Sequence, residues 1–99
     1  MGKAASEALA LTLAKEEQTN GIRVNIVAPA LTVSDMGERL ARAVAGVSDI
    51  HELDAKFPFG RVPTPDDVAA AVVWFVSNAN SYCSGQKLNI DAGGMATLG

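Results

Sequence analysis

His51 is the only histidine of the 99 residues, and it sits among Asp49, Glu52 and Asp54. An imidazole beside carboxylates belongs to the donor set of a metal site, but a site needs several ligands converging on one point. One histidine in an acidic stretch reads more simply as a solvated helix face. Cys83, the only cysteine, follows Tyr82. A nucleophilic thiolate needs an activating base beside it, and no second histidine is present to serve, so Cys83 reads as a small buried residue. Asp66 and Asp67 follow Thr64-Pro65, where carboxylates complement the positive end of a helix and need no acid–base role. Ser34 before Asp35 reads as a helix cap, and Lys3 as a solvated lysine at a helix start. Trp74 and Phe75 read as core or interface anchors rather than a ligand box.

Composition bounds the class. Hydrophobic residues make up 48% and charged residues 19% of the chain. That balance is globular, and the length suits one domain over residues 1–99 with one modest core. A formal net charge of −3 leaves no basic stripe to neutralise phosphates, so no nucleic-acid partner is expected. The longest apolar run, Val68 to Val76, is nine residues, far short of the roughly 20 that span a bilayer, so no membrane partner is expected either. With one cysteine and no signal-like start, the expected location is cytoplasmic.

The elements that must hold these residues can be placed from pattern. Residues 2–19 read as an Ala- and Leu-rich helix stopped by Asn20-Gly21. Residues 22–28 alternate as a short strand that Pro29 should end, since proline has no ladder donor. A helix is expected from Ser34-Asp35 to about Ala45, broken by Gly46, and a shorter one over residues 48–56. Thr64-Pro65-Asp66-Asp67 predicts a strong start for a helix running to about Ser77. Residues 86–91 read as a second strand, followed by Gly93-Gly94 and a tail. Both the first helix and the helix from Thr64 are apolar around nearly the whole wheel. Such helices need cover on more than one side, which two short strands cannot supply.

Taken in order, Lys3-Ala4-Ala5-Ser6, Gly21 to Pro29, Phe59-Gly60-Arg61, Thr64 to Ala69, Ser84-Gly85-Gln86 and Asp91-Ala92-Gly93-Gly94 resemble the C-terminal portion of short-chain dehydrogenase/reductases. The resemblance runs over essentially the whole chain. It implies an α/β architecture, the C-terminal part of a Rossmann-like doubly wound fold, with two short parallel strands and three to four helices. Lys3 matches the family's catalytic lysine, which binds the nicotinamide ribose and lowers the pKa of a tyrosine base. The tyrosine would stand four residues earlier, before Met1, so Lys3 is expected to be vestigial. Residues 29–36 resemble the loop over the nicotinamide. There Pro29, Ala30, Thr32 and Ser34 match cofactor-contacting positions, with Ala30 standing where the family usually has glycine.

The glycine-rich strand–turn–helix that holds a pyrophosphate has no counterpart in residues 1–99. NAD(P) is therefore the cofactor of the family, and none is expected to bind the isolated chain. The expectation for this chain is a non-catalytic remnant that self-associates as a homodimer through helices 2–19 and 64–77. The alternatives are a fragment of an NAD(P)-dependent oxidoreductase acting on a carbonyl or hydroxyl substrate, and a partner subunit modulating a full-length homologue. The strand at 22–28 is expected to leave an edge exposed.

Overall fold

The computed structural model describes residues 2–94; the tail after Gly94 lies outside the described residues. Helix α1 spans Lys3–Glu16, shorter than the predicted 2–19. The chain tightens after Glu17 into a single 3-10 turn, Gln18–Asn20. The Asn20 amide donates to the Glu17 carboxylate at 2.9 Å, and left-handed Gly21 closes the turn. Strand β1 is Ile26–Pro29 and strand β2 is Lys87–Ile90, paired in parallel from Ile26↔Lys87 to Pro29↔Ile90.

Both ends of β1 differ from the expectation of 22–28. Residues before Ile26 bond to the turn ahead of β2 through one backbone bond, Gly85 N–H to Val24 O at 2.8 Å, and otherwise through side chains in place of a regular ladder. The Ser84 hydroxyl accepts from Val24 N–H at 3.1 Å, and the Asn25 carboxamide donates to Cys83 O and accepts from Gln86 N–H, each at 3.0 Å. Cys83 is half-buried with its thiol turned toward the Asn25 carboxamide oxygen, so it sits in polar company rather than in an apolar core. At the other end Pro29 is inside the strand. Ile26 N–H donates to Gln86 O and Ala30 N–H to Ile90 O, so even-numbered residues face β2. The ring nitrogen of Pro29 points away from β2, where no donor is required.

Helix α2, Asp35–Leu40, widens into a π-type turn over Ala41–Ala45 and ends at left-handed Gly46. A 3-10 helix follows at Ile50–Lys56, capped by Asp49 and Glu52. Helix α3 is Pro65–Val76. It begins where the Thr64 hydroxyl accepts from Asp67 N–H and the Asp67 carboxylate accepts from Thr64 N–H at 2.7 Å, a reciprocal cap. The architecture is that of a doubly wound α/β fold, cut to two strands, with α1 and α3 walling separate grooves along β1.

The tightest core lies outside the sheet. Ala41, Ile50, Leu53 and Val62 form it, with Leu31, Val33, Val47 and Phe57 packed around them. By contrast α1 buries only Ala14, and α3 only Ala71 and Phe75. The all-round apolar character of these helices is therefore left facing outward. Leu9 is 52% exposed, Trp74 49%, Val73 64% and Val76 70%.

One stability prediction arises at the start of α3. Arg61 grips Asp67 through two hydrogen bonds, at 2.6 and 2.9 Å. That guanidinium, helped by Thr64 N–H, holds the Asp67 carboxyl far below the usual carboxylate range. A folded-state pKa below the unfolded value adds stability that is complete above about pH 5 and is lost as pH falls through the unfolded value toward the folded one. Thermal melts should show the wild-type midpoint falling more steeply between about pH 5 and pH 2 than that of Asp67→Asn.

Candidate functional site

Lys3, Ser6, Glu7 and Ala10 of α1 face residues 25–29 across an open groove of about 430 Å3. The fold thus brings Lys3 and Pro29 to one groove. Ala30, Thr32 and Ser34 lie outside its lining. Glu7 at the same wall is committed to Lys87 of β2 at 2.7 Å, which ties α1 to the sheet.

The hydroxyls of the loop after β1 are engaged with the loop's own backbone. Thr32 Oγ1 donates to Ala30 O at 2.7 Å. Ser34 Oγ donates to Thr32 O at 3.2 Å and accepts from Gly37 N–H at 3.0 Å. The second bond is the capping role expected of it. Ala30 keeps an ordinary negative φ, so alanine fits where the family usually has glycine. The loop is anchored from outside by Val33 N–H on Pro63 O at 2.8 Å.

Gly37 lies on the inside of this loop and is buried. A Cβ built there would stand 1.8 Å from Thr32 O, inside any permitted contact. The requirement is for close approach, because Gly37 itself is helical. A search of the sequence for turn-forming glycines passes over it, since it sits in a helical pattern.

Beyond the carboxyl ends of both strands lies a smaller apolar cleft of about 190 Å3, lined by Ala30, Phe57, Pro58, Phe59, Pro63 and Ile90 among others. Phe59 (φ 64°) and Ala92 (φ 53°) are the non-glycine residues in left-handed conformation among the described residues, and both line it. Residue type marks neither, because Phe and Ala ordinarily avoid this region. The Arg61–Asp67 pair lines the same cleft, joining a family motif residue to a helix cap.

His51 is exposed and its Nδ1 lies 3.3 Å from the Asp54 carboxylate, whose other oxygen accepts Val62 N–H at 2.9 Å. That backbone donor, with His51 contributing less, lowers the Asp54 pKa. Among the described residues no three His, Cys, Asp or Glu side chains converge as a metal would require.

Among the described residues the lining of the grooves offers no pyrophosphate cradle. The loop hydroxyls are internally bonded, and neither groove opens on a glycine-rich turn feeding a helix N-terminus. What the fold brings together is an ammonium at the head of α1 and the end of β1 at Pro29, on one groove.

A two-stranded parallel sheet with a helix on each side is a portion of a doubly wound, Rossmann-like α/β fold. The profile of a family described as Enoyl-(Acyl carrier protein) reductase matches residues 1–95, and the chain belongs to the short-chain dehydrogenase/reductase family. It is 40% identical over 89 residues to a 3alpha-hydroxysteroid dehydrogenase of Mediterraneibacter gnavus, covering 90% of this chain and 34% of the relative. It is 39% identical over 84 residues to a 3-oxoacyl-(acyl-carrier-protein) reductase of Chlamydia muridarum, covering 85% of this chain and 32% of the relative. A crystal structure of a short chain dehydrogenase family protein from Francisella tularensis superposes with TM-score 0.80 at 27% identity, over 95% of this chain and 41% of that one. The chain thus spans about a third of the length of the curated relatives it matches. Members of the family bind NAD(P). No helix among the described residues is long and apolar enough to cross a membrane.

Proposed function

We propose that residues 1–99 act as a single truncated domain that self-associates without catalysing hydride transfer. The observation that carries this reading is the outward apolar face of its two longest helices. Leu9, Leu11 and Leu13 are exposed on α1, and Val72, Val73, Trp74 and Val76 on α3. Apolar surface of this extent is ordinarily covered by a partner. A homodimer joined through α1 and α3 covers it, and a cytoplasmic location suits the lone thiol.

Size-exclusion with light scattering should give a dimer, or a larger even-numbered assembly, at micromolar concentration with and without NAD(P)H. Trp74→Asp should shift it toward monomer, by roughly tenfold or more in dissociation constant, as expected of a half-buried aromatic anchor. A wild-type monomer at that concentration overturns the reading.

A second reading is favoured by one specific observation, the placement of Lys3 and Pro29 on one groove. In it the stretch is part of an NAD(P)-dependent oxidoreductase acting on a carbonyl or hydroxyl group, as the names of the two curated relatives suggest. Lys3 then faces the nicotinamide ribose, and the backbone of Pro29, Ala30 and Thr32, with the Ser34 hydroxyl, faces the nicotinamide end. Sequence upstream of the Met1 codon decides between the readings: a tyrosine four residues before Lys3 and a glycine-rich strand–turn–helix support the oxidoreductase.

A further inference from the structure

The turn that closes α1 holds a reactive pair of residues. Asn20 N–H donates to Glu17 O at 3.0 Å, Gly21 N–H to Gln18 O at 3.1 Å and Ile22 N–H to Glu17 O at 3.3 Å. The Asn20 carboxamide donates to the Glu17 carboxylate at 2.9 Å. Of the asparagines at 20, 25, 78, 80 and 89, only Asn20 precedes a glycine. The backbone nitrogen that follows an asparagine can attack its carboxamide and close a cyclic imide, and a Cβ on that following residue hinders the approach. Gly21 has no Cβ, and nothing lies within 4 Å of where one would stand. Asn20 and Gly21 are both exposed, so water reaches the turn. By contrast the Asn25 carboxamide is tied to Cys83 O and Gln86 N–H, and that of Asn80 to Trp74 O at 2.8 Å.

We propose that Asn20-Gly21 is a self-modification site, where the Gly21 nitrogen displaces the amide group of Asn20 and Glu17 sets the rate. The Gly21 nitrogen gives up its proton and bonds to Asn20 Cγ. The Cγ–Nδ2 bond breaks, and Nδ2 leaves as ammonia with a proton replacing the one Gly21 released. Water then opens the imide at either carbonyl, giving aspartate or, with the chain rerouted through Cγ, isoaspartate. Water is the only co-reactant. In the folded turn both reacting groups are engaged, Gly21 N–H on Gln18 O and the carboxamide on Glu17. Losing the Glu17 bond frees the carboxamide to rotate toward the Gly21 nitrogen, so closure should be faster without it. The product cannot keep this turn. Its carboxylate replaces a donor that stood 2.9 Å from the Glu17 carboxylate, and like charges repel strongly at that distance. Isoaspartate also inserts an extra backbone carbon ahead of Gly21. Conversion therefore loosens the end of α1 that buries Ala14 beside Gly85. The inference does not rest on the self-association proposed above.

The test incubates the full 99-residue chain at mildly alkaline pH and maps its peptides by mass spectrometry, with the same chain in urea as reference. Expected is conversion at Asn20 ahead of Asn25, Asn78, Asn80 and Asn89, at a rate below that in urea. Hydroxylamine, which traps the imide, should cut the chain between Asn20 and Gly21, and Asn20→Gln should abolish both results. Glu17→Ala should speed conversion of the folded chain by about two- to tenfold, the worth of one hydrogen bond. If circular dichroism shows Glu17→Ala unfolded, Glu17→Gln decides, with a smaller acceleration expected because it keeps an acceptor. The isoaspartate form, separated by ion exchange, should melt about 4–8 °C below the parent. The proposal is overturned if Asn20 stays intact, or converts no faster than the other asparagines, while the chain in urea is converted at Asn20. It is equally overturned by a folded-state rate no lower than that in urea, by a rate indifferent to the folded Glu17 variant, or by an unchanged melting midpoint.

Discussion

Ile50→Ala should lower the stability of the chain by about 3 kcal/mol and its thermal midpoint by roughly 12–24 °C, read by calorimetry or circular dichroism. Ile50 is 0% exposed and stands at the centre of the cluster with Ala41, Leu53 and Val62. Removing its three outer carbons leaves a void that fixed neighbours cannot close. The backbone at Ile50 is pinned as well, with its N–H donated to the Glu38 carboxylate at 3.1 Å. Ile50→Val removes one methylene and should cost only about 1 kcal/mol. Total stability of a domain this small lies near the low end of about 5–15 kcal/mol, so the alanine variant removes a large fraction of it. A cost under about 1 kcal/mol for Ile50→Ala would show that this cluster is not where the chain's stability resides.

Gly37→Ala sets two rules against each other with opposite signs. Helix propensity alone credits alanine with about 1 kcal/mol over glycine inside a helix. The close approach of Thr32 O, 1.8 Å from where the new Cβ would stand, requires the loop after β1 or helix α2 to move. That carbonyl also accepts the Ser34 hydroxyl, and the loop is held from Pro63, so relaxation disturbs several bonds together. The expected net result is a loss of about 2–3 kcal/mol, or roughly 10–20 °C in midpoint. Gly46→Ala is the comparison, since Gly46 has φ 71° with open space around it. Only the left-handed backbone penalty of about 1–2 kcal/mol applies there. Stabilisation by Gly37→Ala would show that the loop is free to move, and would remove the argument that it is a fixed wall.

Much of the local structure is legible from residue type. Thr64-Pro65 announces α3, Ser34 announces α2, and Gly21 and Gly46 announce two left-handed turns, because capping and positive φ are decided by atoms within a few residues. The same local rules misplace β1. They begin it at residue 22 because they do not include the side chains of Ser84 and Asn25, which replace part of the ladder there beside the single backbone bond from Gly85 to Val24. They end it before Pro29 because they cannot tell which edge its missing donor will face. Of the candidate site, the order of motifs picks out Lys3 and residues 29–34. Gly37 escapes it, and the motifs that contain Phe59 and Ala92 do not announce their left-handed backbone, since each of the three is exceptional only through a neighbour's close approach or a backbone angle its residue type does not reveal.

By itself the sequence determined the family, the α/β class, the order and capping of the helices and the surplus of apolar surface on α1 and α3. These follow from short-range spacing and from composition, which no packing arrangement can change. Tertiary structure alone decided that Lys3 and Pro29 share a groove whose lining leaves out Thr32 and Ser34, and that the main core sits around Ile50. It also decided that the apolar surplus stays exposed and that the free edge of β1 lies between two walls. Those outcomes depend on contacts between segments far apart in the chain, where the geometry of approach, rather than residue type, fixes what touches what.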